Sequence, residues 1–232
     1  MEIRIYTADV GELEDIALYD AIYKKVSAYR QEKCCFYRFQ KDRRLSLGAG
    51  ALLENALGEL GVDDLTVAVS EYGKPQLVCT DRIRFNLSHS GSKVMCVVSD
   101  HDIGCDVERI TDFEDKLARK VLTDDEYTKL TGISDKALRN EMFFRYWTLK
   151  ESFMKATGLG FMMPPESFCV VTDSPEITVL QDRCAGDYFF FEHDKADGYK
   201  YSVCSRDKKI TSPVICHTSF CEILSQPWSA SS

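Results

Sequence analysis

Asp106, Glu108, Glu151 and Lys155 fall into two short runs on either side of the middle of the chain. The first run is Gly104-Cys105-Asp106-Val107-Glu108, and the second is Trp147-Thr148-Leu149-Lys150-Glu151-Ser152-Phe153-Met154-Lys155. On a strand, Asp106 and Glu108 flank Val107 and point to one face. On a helix, Glu151 and Lys155 lie one turn apart and share a face. If the fold brings these faces together, they make a site for a hard divalent cation and a phosphate. Residue type alone would leave the four as solvated surface charge. The flanks change the balance: Ile103-Gly104-Cys105 leads a buried strand into Asp106, and Phe144, Trp147 and Phe153 make the second run strongly apolar. Carboxylates at buried positions are costly unless paired or metal-bound. A set of carboxylates without cysteine or histidine suits Mg²⁺, which takes oxygen ligands and shares them with substrate phosphates.

Other residues can serve the same chemistry. In Phe85-Asn86-Leu87-Ser88-His89-Ser90-Gly91 an apolar strand end runs into hydroxyl, imidazole and backbone donors suited to phosphate oxygens. The plain alternative is a satisfied turn histidine. A Ser–His hydrolase is disfavoured, because strand neighbours face opposite ways and a nucleophile elbow needs G-x-S-x-G. Gly73-Lys74-Pro75 reads as a tight turn carrying a charge. Arg30, Lys33 and Arg44 read singly as surface charge and together as a holder for a dianionic phosphate. Glu126 reads as the reciprocal partner of Thr123 in a capping box. Lys155 reads equally as a helical partner of Glu151.

The elements that must position these groups follow from periodicity. The spacing predicts a strand over 1–10, helices over 13–33 and 42–60, and strands near 65–70, 83–85, 94–98 and 103–107. The second half predicts helices over 113–121 and 142–157, then strands near 167–171, 177–179, 188–191 and 199–205. Helix–Gly–strand segments recur at Leu45–Val69 and Trp147–Val171, the mark of an internal duplication. The expected organisation is an N-terminal half (1–103), a C-terminal half carrying the acidic runs (104–210) and a peripheral tail (211–232).

Composition narrows the class. The chain has 232 residues, 44% of them hydrophobic and 28% charged, with a net charge of −8. That charge argues against nucleic acid as the main partner and leaves a small polyanionic ligand open. No apolar run has the length of a membrane span. The first residues, Met1-Glu2-Ile3-Arg4-Ile5-Tyr6, lack the apolar core of a signal peptide, so the expected location is the cytoplasm. The ten cysteines include an adjacent pair, Cys34-Cys35, and no C-x-x-C. Most of the others sit in apolar runs, where they read as small hydrophobes in a reducing compartment.

Taken in order, Gly73-Lys74-Pro75, Phe85 to Ser90, Gly104 to Glu108 and Trp147 to Lys155 resemble the Sfp/Gsp-type 4′-phosphopantetheinyl transferases. The resemblance runs from about Ile3 to about Ser205. It implies an α+β fold, a pseudo-dimer of two similar halves in a monomeric chain. It implies transfer of the 4′-phosphopantetheine arm of coenzyme A to a serine of a carrier protein, with release of adenosine 3′,5′-bisphosphate. It implies Asp106, Glu108 and Glu151 as Mg²⁺ ligands, and Gly73, Lys74, Pro75, Ser88, His89 and Lys155 at the coenzyme A. It sets Arg44, with Arg30 and Lys33, toward the 3′-phosphate, and matches Glu126 to an acidic family position. The catalytic roles implied are base for Glu151 and charge stabilisation for Lys155 and His89. Acyl, peptidyl and polyketide carriers are the implied partners, with secondary metabolism the setting by family analogy. Two departures are Val107 between the metal carboxylates and the Cys34-Cys35 pair where relatives are often basic. Phe113, Leu117 and Leu122 read as carrier-facing candidates or, more simply, as core. Two other functions stay open at this point, a Mg²⁺-dependent coenzyme A pyrophosphohydrolase and a non-catalytic coenzyme A-binding module.

Overall fold

The structure, a computed structural model, describes residues 1–226 apart from the side chain of Phe161. Pro227 and the Ser-rich end of the expected tail lie outside the described residues. In chain order the elements are β1 (Arg4–Asp9), α1 (Ile16–Lys25), α2 (Ala28–Cys35), α3 (Gln40–Glu59), β2 (Val67–Val69), β3 (Pro75–Leu77), β4 (Arg84–Ser90), β5 (Lys93–Ser99) and β6 (Ile103–Arg109). They continue with α4 (Asp115–Val121), α5 (Asp124–Thr131), α6 (Lys136–Thr157), β7 (Cys169–Val171), β8 (Thr178–Leu180), β9 (Phe189–Glu192), β10 (Tyr199–Ser205), β11 (Val214–His217) and α7 (Phe220–Ser225). The single helix expected over 13–33 is two. Asp15 caps α1 by accepting from the Ala17 and Leu18 amides, and Val26 ends that helix. Ser27 then caps α2 and also donates its hydroxyl to Glu54 at 2.7 Å. The apolar period runs through this break, so periodicity alone reads it as continuous.

The chain forms two compact units. One is Met1–Ala68, Pro75–Asp100 and Pro213–Ser232, and the other is Val69–Lys74 with His101–Ser212. In the first unit, β1, β5 and β4 pair antiparallel in the order β1-β5-β4. The helix α3 supplies much of the apolar core through Leu47, Leu52, Leu53 and Leu57, which join Tyr6, Val94 and Val98 from the strands.

The segment expected as a peripheral tail is part of this unit. Strand β11 pairs parallel with β1, and Phe220 and Ile223 of α7 are fully buried in the same core. Lys25 fastens the end of α7 by donating to the Ile223 and Leu224 carbonyls at 2.9 and 2.8 Å. Parallel pairing of residues two hundred apart leaves no local sequence signal, and the Pro and Ser content suggested a loose end. Phe220→Ala should cost about 3–5 kcal/mol of stability. Urea denaturation is the check, and a midpoint equal to wild type would show that α7 only decorates the surface.

In the second unit the antiparallel order is β6-β10-β9. Helix α6 buries Leu149, Phe153 and Ala156 with Phe168, Val170 and Phe190, while Phe143 and Tyr146 join Ala118, Val121 and Leu130. Each unit therefore runs strand, helices, long helix, small hairpin, then a strand pair whose last member joins the first strand. That repeated order is the internal duplication expected from Leu45–Val69 and Trp147–Val171, and the fold is α+β. Among the described residues no helix is long and apolar enough to cross a membrane.

Candidate active site

Strand β6 and helix α6 of the second unit hold the two acidic runs, and a glycine sets their spacing. A Cβ on Gly104 would lie 2.1 Å from the Ser152 carbonyl oxygen and 2.4 Å from the Ala156 amide nitrogen. Only a residue without a side chain lets the helix backbone come this close to the strand. Gly104→Ala should push α6 away from β6, cost about 3 kcal/mol and abolish most activity. A crystal structure or melting curve indistinguishable from wild type would contradict this.

With the helix at that distance, Asp106 is 3% exposed and its Oδ1 accepts from Lys155 Nζ at 2.6 Å. Lys155 also donates to the Cys105 carbonyl at 3.1 Å. Burial works against the Lys155 charge, but the carboxylates of Asp106 and Glu151 hold its pKa above the usual lysine value. Burial pushes the Glu151 carboxyl up, Lys155 opposes that rise and the Asp106 charge adds to it. The neighbouring Cys105 thiol is pushed up to about 12 by burial, which removes it as a nucleophile. Glu108 lies two residues on from Asp106, on the same strand face and opposite Lys200 across the β6–β10 ladder. Among the described residues the oxygens of Asp106, Glu108 and Glu151 do not gather within 4.8 Å of one another. The donor set nonetheless fits a hard dication: oxygen ligands from carboxylates, one of them nearly buried, with no cysteine or histidine side chain among them.

The α6 face toward the sheet carries a polar seam. Glu141 meets Lys200 at 2.6 Å and Arg145 grips Glu192 with two nitrogens at 2.7–3.0 Å. Thr148 meets Ser202 at 2.9 Å, and Lys155 meets Asp106. The steps of four, three and seven are helical spacing on one face. The residue spacing points to the end of this row and not to Glu141, Arg145, Glu192 and Lys200. For Glu141 and Arg145 the signal is the polar period along α6, whereas Glu192 and Lys200 lie on β9 and β10 and have no local signal.

Another missed residue is Lys150. It is fully buried against Glu126, at 0% and 1% side-chain exposure and 2.8 Å apart. Lys150 also donates to the Pro165 and Phe168 carbonyls at 2.8 and 2.6 Å. Glu126 closes the expected capping box with Thr123 and accepts from the Val170 amide at 2.7 Å. Glu126 is thus a structural hub that ties α5 to α6 and β7.

The other expected site residues divide between the units. In the second, Gly73 has φ +87°, the left-handed geometry its turn requires. Lys74 Nζ donates to the Ile103 carbonyl at 3.0 Å and to the Ala156 carbonyl at 3.4 Å, so it ties the start of β6 to the end of α6. In the first unit, Pro75 opens β3. Ser88 and His89 occupy adjacent positions of β4, the first buried and the second exposed. Arg44 pairs with Glu14 at 3.1 Å, and the Lys33 ammonium lies 6.0 Å from the Tyr29 ring centre. Arg30 departs from expectation. It is 5% exposed, lies over Gly50 and donates to the Ser46 carbonyl at 3.5 Å. Helical periodicity could not show that α2 turns this position onto α3. Of the carrier-facing candidates, Leu122 is core, Phe113 stacks on Phe143 at 4.1 Å, and Leu117 is exposed.

Comparison with known proteins agrees with the geometry. Residues 102–204 match the family model of the 4′-phosphopantetheinyl transferase superfamily. The chain is 31% identical over 202 residues to the 4′-phosphopantetheinyl transferase gsp of Aneurinibacillus migulanus, covering 85% of this chain and 83% of that one. It is 31% identical over 200 residues to psf-1 of Bacillus pumilus, covering 84% and 82%. It is 27% identical over 184 residues to Sfp of Bacillus subtilis strain 168, covering 78% and 82%.

Proposed function

We propose a reaction for this chain from the premise that it belongs to the 4′-phosphopantetheinyl transferase family. It transfers the 4′-phosphopantetheine group of coenzyme A to a serine of a carrier protein and releases adenosine 3′,5′-bisphosphate. The observation that carries this reading is the Asp106–Lys155–Glu151 cluster, in which two carboxylates and an ammonium share one helix–strand contact. A binding module would need the cations and not the carboxylates.

Asp106, Glu108 and Glu151 are the proposed ligands for Mg²⁺, which when bound would neutralise charge on the pyrophosphate. The serine Oγ attacks the β-phosphorus of coenzyme A, and the bond from that phosphorus to the oxygen bridging to the α-phosphate breaks. Glu151 takes the serine proton, a role helped by a carboxyl held above the usual range. Lys155 and His89 stabilise charge on the departing α-phosphate. Lys74, with the Gly73 and Pro75 backbone and Ser88, is assigned to holding the coenzyme A. Arg44 and Lys33 are assigned to its 3′-phosphate, and Arg30, turned onto α3, to structure. We further propose that the protein works as a cytoplasmic monomer on acyl, peptidyl or polyketide carriers.

The test is intact mass of an apo carrier protein incubated with this protein, coenzyme A and Mg²⁺. Transfer adds the phosphopantetheine arm to the carrier, and EDTA should abolish the gain. Cleavage of coenzyme A without a gain would point to a hydrolase, and neither change to a binding module.

A further inference from the structure

The corner between α2 and α3 is at odds with the rest of the chain. The protein carries a net charge of −8, yet its exposed turn at 36–41 holds Arg38 and Lys41 and no acidic residue. The same corner leaves Phe36 at 88% and Phe39 at 64% exposure, with Tyr37 between them also exposed. A run of exposed rings interleaved with cations is the composition of a contact surface.

The corner is a built structure. The Tyr37 amide donates to the Cys34 carbonyl at 3.3 Å, and the Arg43 amide donates to the Phe39 carbonyl at 3.1 Å. Arg43 Nε donates to the Tyr37 carbonyl at 2.8 Å, and the Arg38 guanidinium lies 5.6 Å from the Phe39 ring centre. The rings are therefore displayed on a hydrogen-bonded turn, which lowers the ordering cost of binding.

We propose that this corner docks an acidic face of the carrier protein, an inference that rests on the transferase reading above. The transfer reaction requires a second protein at the surface. Local positive charge on an acidic molecule selects an acidic partner and speeds its approach. The exposed turn at 36–41, as distinct from Lys33 and Arg44 beside it, is a poor nucleotide site, because ligand sites are concave and Phe36 is almost wholly open. A footprint of a few rings and cations gives a weak contact, which suits a protein substrate that must leave after each turnover.

The experiment varies apo carrier and coenzyme A separately, using Phe36→Ser with Phe39→Ser, and Arg38→Glu with Lys41→Glu. These side chains are exposed, and melting curves check that both variants fold. The expected result is a carrier KM raised about tenfold, roughly 1.4 kcal/mol, with kcat and the coenzyme A KM unchanged. Added salt should raise the carrier KM of wild type and have little effect on the charge variant. An unchanged carrier KM overturns the proposal. So does a rise in the coenzyme A KM alone, which would make the corner a nucleotide subsite, or loss only of binding to phosphatidylserine vesicles, which would make it a membrane contact. A wild type that loads no carrier overturns the transferase reading itself and is distinguishable from all of these.

Discussion

Asp106→Asn and Glu151→Gln should each lower transfer to a carrier protein by about 10²–10³-fold while the protein still melts cooperatively. Asp106→Asn keeps the shape and one acceptor for Lys155 but removes the charge that faces it at 2.6 Å. Glu151→Gln removes the proposed base and one oxygen ligand together. The two are expected to be non-additive, because both groups act on one reacting phosphate. The second readout is pH. Burial, with the Asp106 charge adding to it and Lys155 opposing, holds the Glu151 carboxyl above the usual range. The folded chain therefore binds this proton more tightly than the unfolded chain. Between the usual range and the raised value, folding stability falls as pH rises. Metal-free Glu151→Gln should lose that part of the slope. If Glu151→Gln kept near wild-type turnover, Glu151 would be neither base nor required ligand.

Lys150→Met is expected to produce a large loss of stability, with the chemistry untouched. It removes one member of a pair in which neither side chain is more than 1% exposed, leaving Glu126 charged in the interior. Such a break costs about 3–5 kcal/mol, or a fall of about 6–20 °C in melting temperature for a protein of this size. Two carbonyls, Pro165 and Phe168, lose their donor as well. Adding Glu126→Gln should recover part of the loss, since the buried charge goes while an acceptor for the Val170 amide remains. Burial holds the Lys150 pKa below the usual lysine value, with Glu126 opposing. In the window between the two, the unfolded chain binds more protons, so this contribution to stability grows as pH rises. Thermal melts of both variants are the measurement. A single variant melting with wild type would mean that the pair contributes nothing.

How much of this could be read in advance varies residue by residue. Asp106 and Glu108 were legible because a strand's two-residue period needs no partner to put them on one face. Glu151 and Lys155 were legible for the same reason on a helix. The Thr123–Glu126 capping box is local and appears as expected. Glu126 could not be read beyond its cap, because its partner Lys150 comes from another helix. Arg30 and Lys33 looked alike in sequence, and only the packing of α2 on α3 turned one inward. Segment 214–225 looked peripheral because a parallel strand pair across most of the chain has no local signature.

The sequence by itself determined the chemistry on offer: three carboxylates and an ammonium at strand and helix spacing, within a duplicated α+β order. Those follow from backbone periods, which act over a few residues. Only the tertiary structure decided which of these groups meet. Gly104 lets α6 approach β6 so that Lys155 reaches Asp106, Lys150 is spent on Glu126, and the C-terminal strand and helix complete the first unit's core. The physical reason is that burial and charge pairing depend on distances between elements. Those distances are set by packing across the chain and not by the residues beside them.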